Sequence, residues 1–386
     1  MILSYMSFAI GYIAGPFGAI FFGHIGDRKG RKVTMYASLL MMGISTSIIG
    51  ILPPAASAGV GVVIVLQLMR LAQCFGRGGT WGGGILMAYE NVPENKRSFY
   101  AAIPQIGLPI GFGLSSILIA VPTLLLPEDI FFTWGWRIPF LAAIILTVIV
   151  IRQKGEMMET EDYKKAQAKL EAEEAEGKKH KVGFIPMVKG YWKTLLLGCG
   201  TRWVDGTFYN IFIVWILSYC INWLGMPLIQ TYIITIIACI FKIPFTLFGG
   251  WCAQKLGNTR TFVIGALASA VLSIPTLKVI ELSKGNLAIT IIGIVLGWSI
   301  AYNLIWAVIS SLWSSYFETE VRYSGISFVY HVPSFLVAGM VPTICTLLIN
   351  YGKGDTIYVG IYSTVVALIS AACALALKAR HDRGEK

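Results

Sequence analysis

Charge is scarce in this 386-residue sequence, and acidic charge scarcest. Lys and Arg number 31 against 20 Asp and Glu, together 13% of the chain, where a soluble domain carries roughly 25%. So little charge cannot cover a water-exposed surface of this size. Cysteine provides no framework: Cys74, Cys199, Cys220, Cys239, Cys252, Cys345 and Cys373 stand singly, without a C-x-x-C pair. They read as small packing residues, and neither disulfides nor a thiolate metal site is expected. No zinc spacing, catalytic triad or nucleotide motif occurs, and no strand context makes "FGRGGTWGGG" a phosphate loop. An enzyme is therefore not expected, nor is a metal or a cofactor.

What is present is apolar length. Hydrophobic residues make up 56% and mean hydropathy is +0.70, the balance of an integral membrane protein. About 20 apolar residues cross a bilayer as a helix. Residues 1–22, 98–127, 206–241, 285–317 and 356–377 contain no Asp, Glu, Lys or Arg. Breaks such as "LPPAASAGVG" and "NWLGMPL" divide the longest runs. The expectation is an all-α protein with about eleven spans, near 1–23, 33–52, 60–88, 98–126, 134–152, 191–221, 227–250, 260–280, 286–314, 323–349 and 356–378. The first run is too long, and lacks the basic leader and cleavage site, for a secretory signal.

The net charge of +11 could suggest nucleic acid, but the basic residues collect at alternate span ends. That is the positive-inside pattern. It places Arg28, Lys29, Arg31, Lys32, Lys96, Arg97, the 152–193 segment, Lys255, Arg260, Arg322 and the C-terminal tail in the cytoplasm, in a multi-pass plasma-membrane protein. Lipid and a small solute are then the expected partners, and a monomer the expected form.

An internal repeat sharpens the organisation. "GHIGDRKGRK" at 23 has a worn counterpart in "GWCAQKLGNTR" at 250, and "YENVPENKRS" at 89 has one in "YFETEVRYSG" at 316. Gly23 to Glu90 is 67 positions and Gly250 to Glu318 is 68. Two related helical bundles are expected, 1–152 and 191–378, joined by a linker over 153–190 and followed by a tail over 379–386. Eight acids fall in the linker (Glu156, Glu159, Glu161, Asp162, Glu171, Glu173, Glu174, Glu176). It reads as a solvated cytoplasmic helix with no site of its own. The repeat offset places the partner of the span near 191 before residue 1, so the expectation is a twelve-span pattern lacking its first helix.

These motifs resemble the major facilitator superfamily, whose signature G-x-x-x-D-R-x-G-R-K is matched by Gly23, Asp27, Arg28, Gly30, Arg31 and Lys32. "RLAQCFGRGGTWGGG", "ENVPENKR", "IPQIGLPIG", "WGWRIPF" and "VRYSGIS" narrow the resemblance to metabolite:proton symporters, permeases for shikimate, α-ketoglutarate, citrate, and proline with betaine. The resemblance implies two bundles rocking about a midplane site. It also implies a cytoplasmic gate from Asp27, Arg31, Glu90 and Arg97, with Gly23, Arg28 and Gly30 from the signature and Glu318 and Arg322 from its repeat. Arg28, with Lys29 and Lys32, also reads simply as an orientation signal.

Ionisable groups inside spans cost about 2.5 to 3.5 kcal/mol each and are candidates for function. Outside the linker, Asp205 is the one acid well inside a predicted span, against Arg70, Arg77, Arg202, Lys242 and His331. Arg202 and Asp205 stand three apart and can pair, either structurally or as a proton site whose charge follows the approach of Arg202. Arg70 and Arg77 share a helix face. Arg70 matches the family; Arg77 does not, and Thr80 stands where the family has glutamate. Lys242 is read equally as a substrate contact and as a side chain snorkelling to the cytoplasmic face. His331 is a titration candidate beside a packing role. Trp298, Tyr302 and Trp306 recur every four residues beside Asn303 and read as a packing or lipid-facing stripe, with Tyr302 and Asn303 retained as substrate candidates.

The resulting expectation is proton-coupled symport of a small organic acid or zwitterion. Arg70, Arg77, Arg202, Lys242, Tyr302 and Asn303 would meet substrate, and Asp205 and His331 would carry the proton. A uniporter, a transport-defective sensor and a fragment of such a transporter remain open as alternatives.

Overall fold

The computed structural model describes residues 2–54, 58–153, 158–175 and 184–385, the side chains of 2–11 and a few others excepted. Glu156 and Glu176 of the linker lie outside them.

The described chain is helical throughout, with no strand among the described residues. In order come α1 (Ile2–Lys29), α2 (Arg31–Ile51), α3 (Val60–Glu90), α4 (Glu94–Leu125), α5 (Gly135–Arg152), α6 (Glu161–Ala175), α7 (Met187–Asn222), α8 (Leu228–Leu256), α9 (Asn258–Leu282), α10 (Leu287–Ser314), α11 (Arg322–Tyr351) and α12 (Ile357–Asp382). All but α1 and α6 are, among the described residues, long and apolar enough to span a membrane. Ten helices thus qualify among the described residues, and with the 28-residue α1 beside them the helix ends fall within a few residues of the sequence expectation in most cases. The helix containing α7 starts earlier, at Phe184, and kinks at Tyr191 (φ −120°, ψ 19°), where the span is expected to begin.

Where the helices leave lipid, glycine makes the turn. Gly30 (φ 102°) separates α1 from α2 and Gly257 (φ 88°) separates α8 from α9, in a backbone region side chains disfavour. Between α1 and α3 the approach is backbone on backbone: a Cβ on Gly78 would fall 2.4 Å from the nitrogen of Ala19. Lipid offers no hydrophobic drive between helices, so dispersion at such a crossing supplies the packing. The glycines of "GLPIGFG" behave otherwise. Gly107 and Gly111 face open space, and only Gly113 meets a neighbour, Cys239.

Helices α1 to α5 pack together, as do α7 to α12. The two groups meet along two seams, α1 on α11 and α4 on α8. The repeat explains the pairing. Gly23 and Gly250 are 227 apart, and that offset carries α1 onto α8 and α4 onto α11, so each seam is the other's counterpart. The packed core lies in the second half, around Phe208, Phe212, Trp298, Tyr302, Trp313 and Tyr323. Helices α3 and α5 instead expose Val63, Ile64, Leu68, Ile145 and Leu146, as a lipid-facing surface requires.

Candidate functional site

Polar groups gather at two levels: the basic end, where α1 meets α11, and the middle of the second bundle.

At the basic end the carboxylate of Asp27 reaches across the seam to the first turn of α11. It accepts backbone hydrogen bonds from Tyr323 (3.2 Å) and Ser324 (3.0 Å). These are orphan donors of a helix N-terminus, and a carboxylate there also meets the positive end of the helix dipole. Gly23, one turn earlier, permits the approach, since a Cβ there would lie 3.0 Å from the Cα of Ser324. Arg31 is fully buried. Its guanidinium donates to Asp27 (3.0 Å), to the Gly26 carbonyl (2.7 Å) and, across the seam, to the Thr319 carbonyl (2.8 Å). Its Nε lies 3.5 Å from Glu90, which pairs with Arg322 at 3.0 Å.

The linker completes this network. Glu159 accepts from the backbone N–H of Arg31 (2.9 Å) and Lys32 (3.2 Å), capping α2. The Thr160 hydroxyl donates to Glu90 (2.7 Å), and Asp162 pairs with Arg97 (2.7 Å) and Arg322 (3.5 Å). Tyr163 donates to the Arg28 carbonyl (3.0 Å), and its ring lies 5.0 Å below the Arg31 guanidinium.

The second seam carries a neutral version of the same contact. Gln254 occupies the repeat position of Asp27 and accepts from the backbone N–H of Phe99 (3.3 Å) in the first turn of the Arg97–Ala102 helix. Its amide also donates to the Asn95 carbonyl. Farther along, Gln105 and Trp306 exchange side chain to backbone bonds, both of 3.1 Å.

In the middle of the second bundle, Arg202 donates to one oxygen of Asp205 and the Tyr302 hydroxyl donates to the other. All three residues are buried. Arg202 also donates to the Tyr330 carbonyl (3.2 Å) and covers the Tyr330 ring at 4.2 Å, and that ring stacks on Trp81 at 4.0 Å. The far face of Tyr302 belongs to Lys242, whose ammonium lies 4.4 Å from the centroids of both Tyr302 and Trp298. Five- to seven-residue π-helical turns interrupt three of the helices concerned, α7, α10 and α11, at Ile211–Trp215, Val295–Ala301 and Phe335–Gly339. Such turns re-aim side chains and often mark functional sites. Gly206 makes room for one of them, since a Cβ there would fall 2.3 Å from the Val337 carbonyl.

The superfamily pattern, described as Major Facilitator Superfamily, matches residues 3–342. The chain belongs to this superfamily. It is therefore a multi-pass membrane transporter and not an enzyme. Over 98% of its length it is 33% identical to the inner membrane metabolite transport protein YhjE of Escherichia coli K12, covering 85% of that protein. It is 30% identical to the shikimate transporter of the same strain, with 97% of this chain and 84% of the relative covered. The proline/betaine transporter of Salmonella typhimurium is 27% identical, with 99% and 76% covered. Among solved structures, the proton:xylose symporter XylE bound to 6-bromo-6-deoxy-D-glucose superposes with a TM-score of 0.76 at 16% identity, over 96% of this chain and 85% of that one.

Within this facilitator the structure brings together Gly23, Asp27, Gly30, Arg31, Glu90 and Arg322 at the basic end. Arg97 joins them through Asp162 and not through Glu90. Two expected members stay apart. The Arg28 side chain is exposed, so only its carbonyl takes part, and Glu318 is exposed and lies against Tyr191. The linker residues Glu159, Thr160, Asp162 and Tyr163 are the ones sequence reasoning missed. Their signal was a cluster of acids at the start of a helix whose other faces are plainly solvated.

Of the candidates in the middle, Arg202, Asp205, Tyr302 and Lys242 form one cluster. Lys242 does not snorkel; it is fully buried and points at rings. Trp298, Tyr302 and Trp306 are buried too, so the stripe is not lipid-facing. Asn303 turns to the backbone, donating to the Lys242 carbonyl (2.8 Å) and accepting from Thr246 (3.1 Å), which makes it a brace between α8 and α10. Arg77 lies over the Tyr12 ring at 4.8 Å with no carboxylate paired to it among the described residues. His331 is buried, and its Nε2 has no hydrogen-bond partner among the described residues. Arg70 does not join the cluster. It is exposed on the first half of α3, because a spacing of seven fixes the face of a helix while two turns of rise, about 10 Å, separate the depths. Thr80 faces α2, donating to Ser38 (3.1 Å).

Proposed function

We propose that the chain carries a small organic acid or zwitterion together with a proton across the plasma membrane by alternating access, working as a monomer. The bundles 1–152 and 191–378 would rock against each other, with linker 153–190 and tail 379–386 in the cytoplasm. The observation that carries the substrate class is the buried charge balance. Arg77 and Lys242 have no paired carboxylate among the described residues, while Asp205 already serves Arg202. Buried charge without a partner is costly, and an incoming carboxylate supplies the missing partner with charge-assisted bonds. The YhjE, shikimate and proline/betaine relatives support a metabolite of this size.

Asp205 is the proton site in this reading. Protonation would weaken its hold on Arg202 and free the guanidinium for substrate, while His331 offers a second exchangeable group in the same region. The network of Asp27, Arg31, Glu90 and Arg322 is the cytoplasmic gate in this reading, and its ion pairs support it. The experiment is uptake of radiolabelled organic acids and betaines into cells expressing the chain, with and without a protonophore. Accumulation that collapses with the protonophore is expected. Undiminished accumulation would remove proton coupling, and failure to transport any organic acid despite correct insertion would remove the reading altogether.

A further inference from the structure

The surroundings of Lys242 bear on which zwitterions can bind. Its ammonium is fully buried and has no hydrogen-bond partner among the described residues. The polar neighbours Asn303 and Thr246 bond its backbone carbonyl and leave the ammonium alone. What the ammonium meets is aromatic: Trp298 and Tyr302 at 4.4 Å and Trp306 at 6.0 Å. Three rings at steps of four along one side of α10 thus face a single cation, two of them closely.

An arrangement of this kind is the recognition chemistry of quaternary ammonium groups, and desolvation strengthens the contact between cation and ring. A lysine could hold its charge more cheaply beside an acid. Here it faces aromatic rings instead. Because the ammonium is tethered, it competes at an effective concentration of roughly millimolar or above. Any free cation must displace it and leave a buried charge with nowhere to go.

We propose that Trp298, Tyr302 and Trp306 form an onium cage that Lys242 keeps filled, so that the transporter selects carboxylates without a fixed cation and rejects betaines. This deepens the transport reading and rests on it for the substrate class. The cage itself is testable by binding alone.

The test is saturable binding of radiolabelled glycine betaine and of choline to purified protein in detergent. Wild type is expected to show none. Lys242→Ala, which empties the cage, is expected to gain binding at least about tenfold tighter than any wild-type signal. Lys242→Met removes the charge but keeps the space filled, and is expected to gain nothing. Lys242→Ala combined with Trp298→Ala should lose the gain. Deleting a buried cation without an ion partner relieves desolvation, so the alanine variant should fold; Lys242→Ser carries the same arm if it does not. Saturable betaine binding by wild type overturns the proposal, as does a monodisperse, fully helical Lys242→Ala or Lys242→Ser protein that binds no onium. Carboxylate uptake by wild type is scored separately. Its absence together with gained betaine binding would remove the transport reading and leave the cage, and the converse would do the opposite.

Discussion

Asp27 and Ser324 are 297 residues apart in the chain, yet a carboxylate oxygen of the first accepts the backbone N–H of the second at 3.0 Å. The same carboxylate takes the neighbouring N–H of Tyr323 and an Arg31 nitrogen. One buried acid thus caps a helix of the other bundle and neutralises the cation beside it.

Asp27→Asn keeps the shape and removes the charge. One of its two oxygens becomes a donor that repels the helix N–H, and of its two carboxylate partners Arg31 keeps only Glu90. Removing one partner of a buried pair costs about 3 to 5 kcal/mol, all of it from the closed seam. Uptake should fall by at least about tenfold at unchanged surface expression. Wild-type uptake by the asparagine variant would exclude the gate role.

The linker contact can be weakened while the seam keeps its ion pairs. Thr160→Val removes a hydroxyl donated to the Glu90 carboxylate, a bond to a charged group that contributes about 1.5 to 3 kcal/mol. Helix α6 should dock less firmly, so limited proteolysis within 161–175 should speed up at least about fivefold. An unchanged cleavage rate would mean that α6 is held by its other contacts alone.

Tyr302→Phe retains the ring over Lys242 and deletes the hydroxyl on Asp205. If Asp205 carries the proton, the variant should accumulate less substrate while its half-saturation concentration stays within about twofold, a free-energy change under 0.5 kcal/mol. Asp205→Asn should go further, abolishing accumulation yet preserving exchange of internal for external substrate. Loss of both together would assign Asp205 a structural role.

Arg77→Ala and Arg70→Ala separate depth from face. Arg77 is half-buried over the Tyr12 ring, and its loss should lower uptake at least about tenfold. Arg70 is exposed on α3 and its alanine variant should transport within about twofold of wild type, as surface changes usually allow. Equal impairment by both would contradict the placement described here.

At the opposite end, Lys278 binds Glu281 (3.0 Å) and Asp355 (2.7 Å), and Glu281 accepts from the N–H of Thr356 (2.8 Å). The loop residue Asp355 is held below the usual carboxylate range, chiefly by the Lys278 ammonium and then by the backbone N–H of Ile357. With a depressed folded value, its contribution is full above the unfolded value, about 3.9, and is lost as pH falls through the folded one. Thermal stability of wild type should therefore drop more steeply below about pH 4 than that of Asp355→Asn. Parallel curves would show that this clasp adds nothing.

Much of this was legible in the sequence because membrane spans announce themselves by length without charge. The repeat and the signature residues located Asp27, Arg31, Glu90 and Arg322. Other features were hidden for physical reasons. The start of α6 looked solvated because three of its faces are, and only its first turn enters the network. Arg70 and Arg77 share a face, and periodicity carries no information on where along a helix the packing begins. An aromatic stripe at steps of four looks alike in lipid and in a core, so the rings around Lys242 could not be distinguished from a lipid-facing surface until the cation was placed among them.

The two seams are counterparts in shape and opposites in dielectric behaviour. Asp27 holds its helix with a charge, and Gln254 holds the equivalent helix with an amide. Parting ions in a dry seam costs more than parting an amide from its partners, although both groups need water or a new partner once apart. If the two bundles rock as proposed, the α1–α11 seam therefore demands more water on parting than the α4–α8 seam does. Dissolved salt, which screens ions and not amides, should then act on opening mainly through the Asp27 edge.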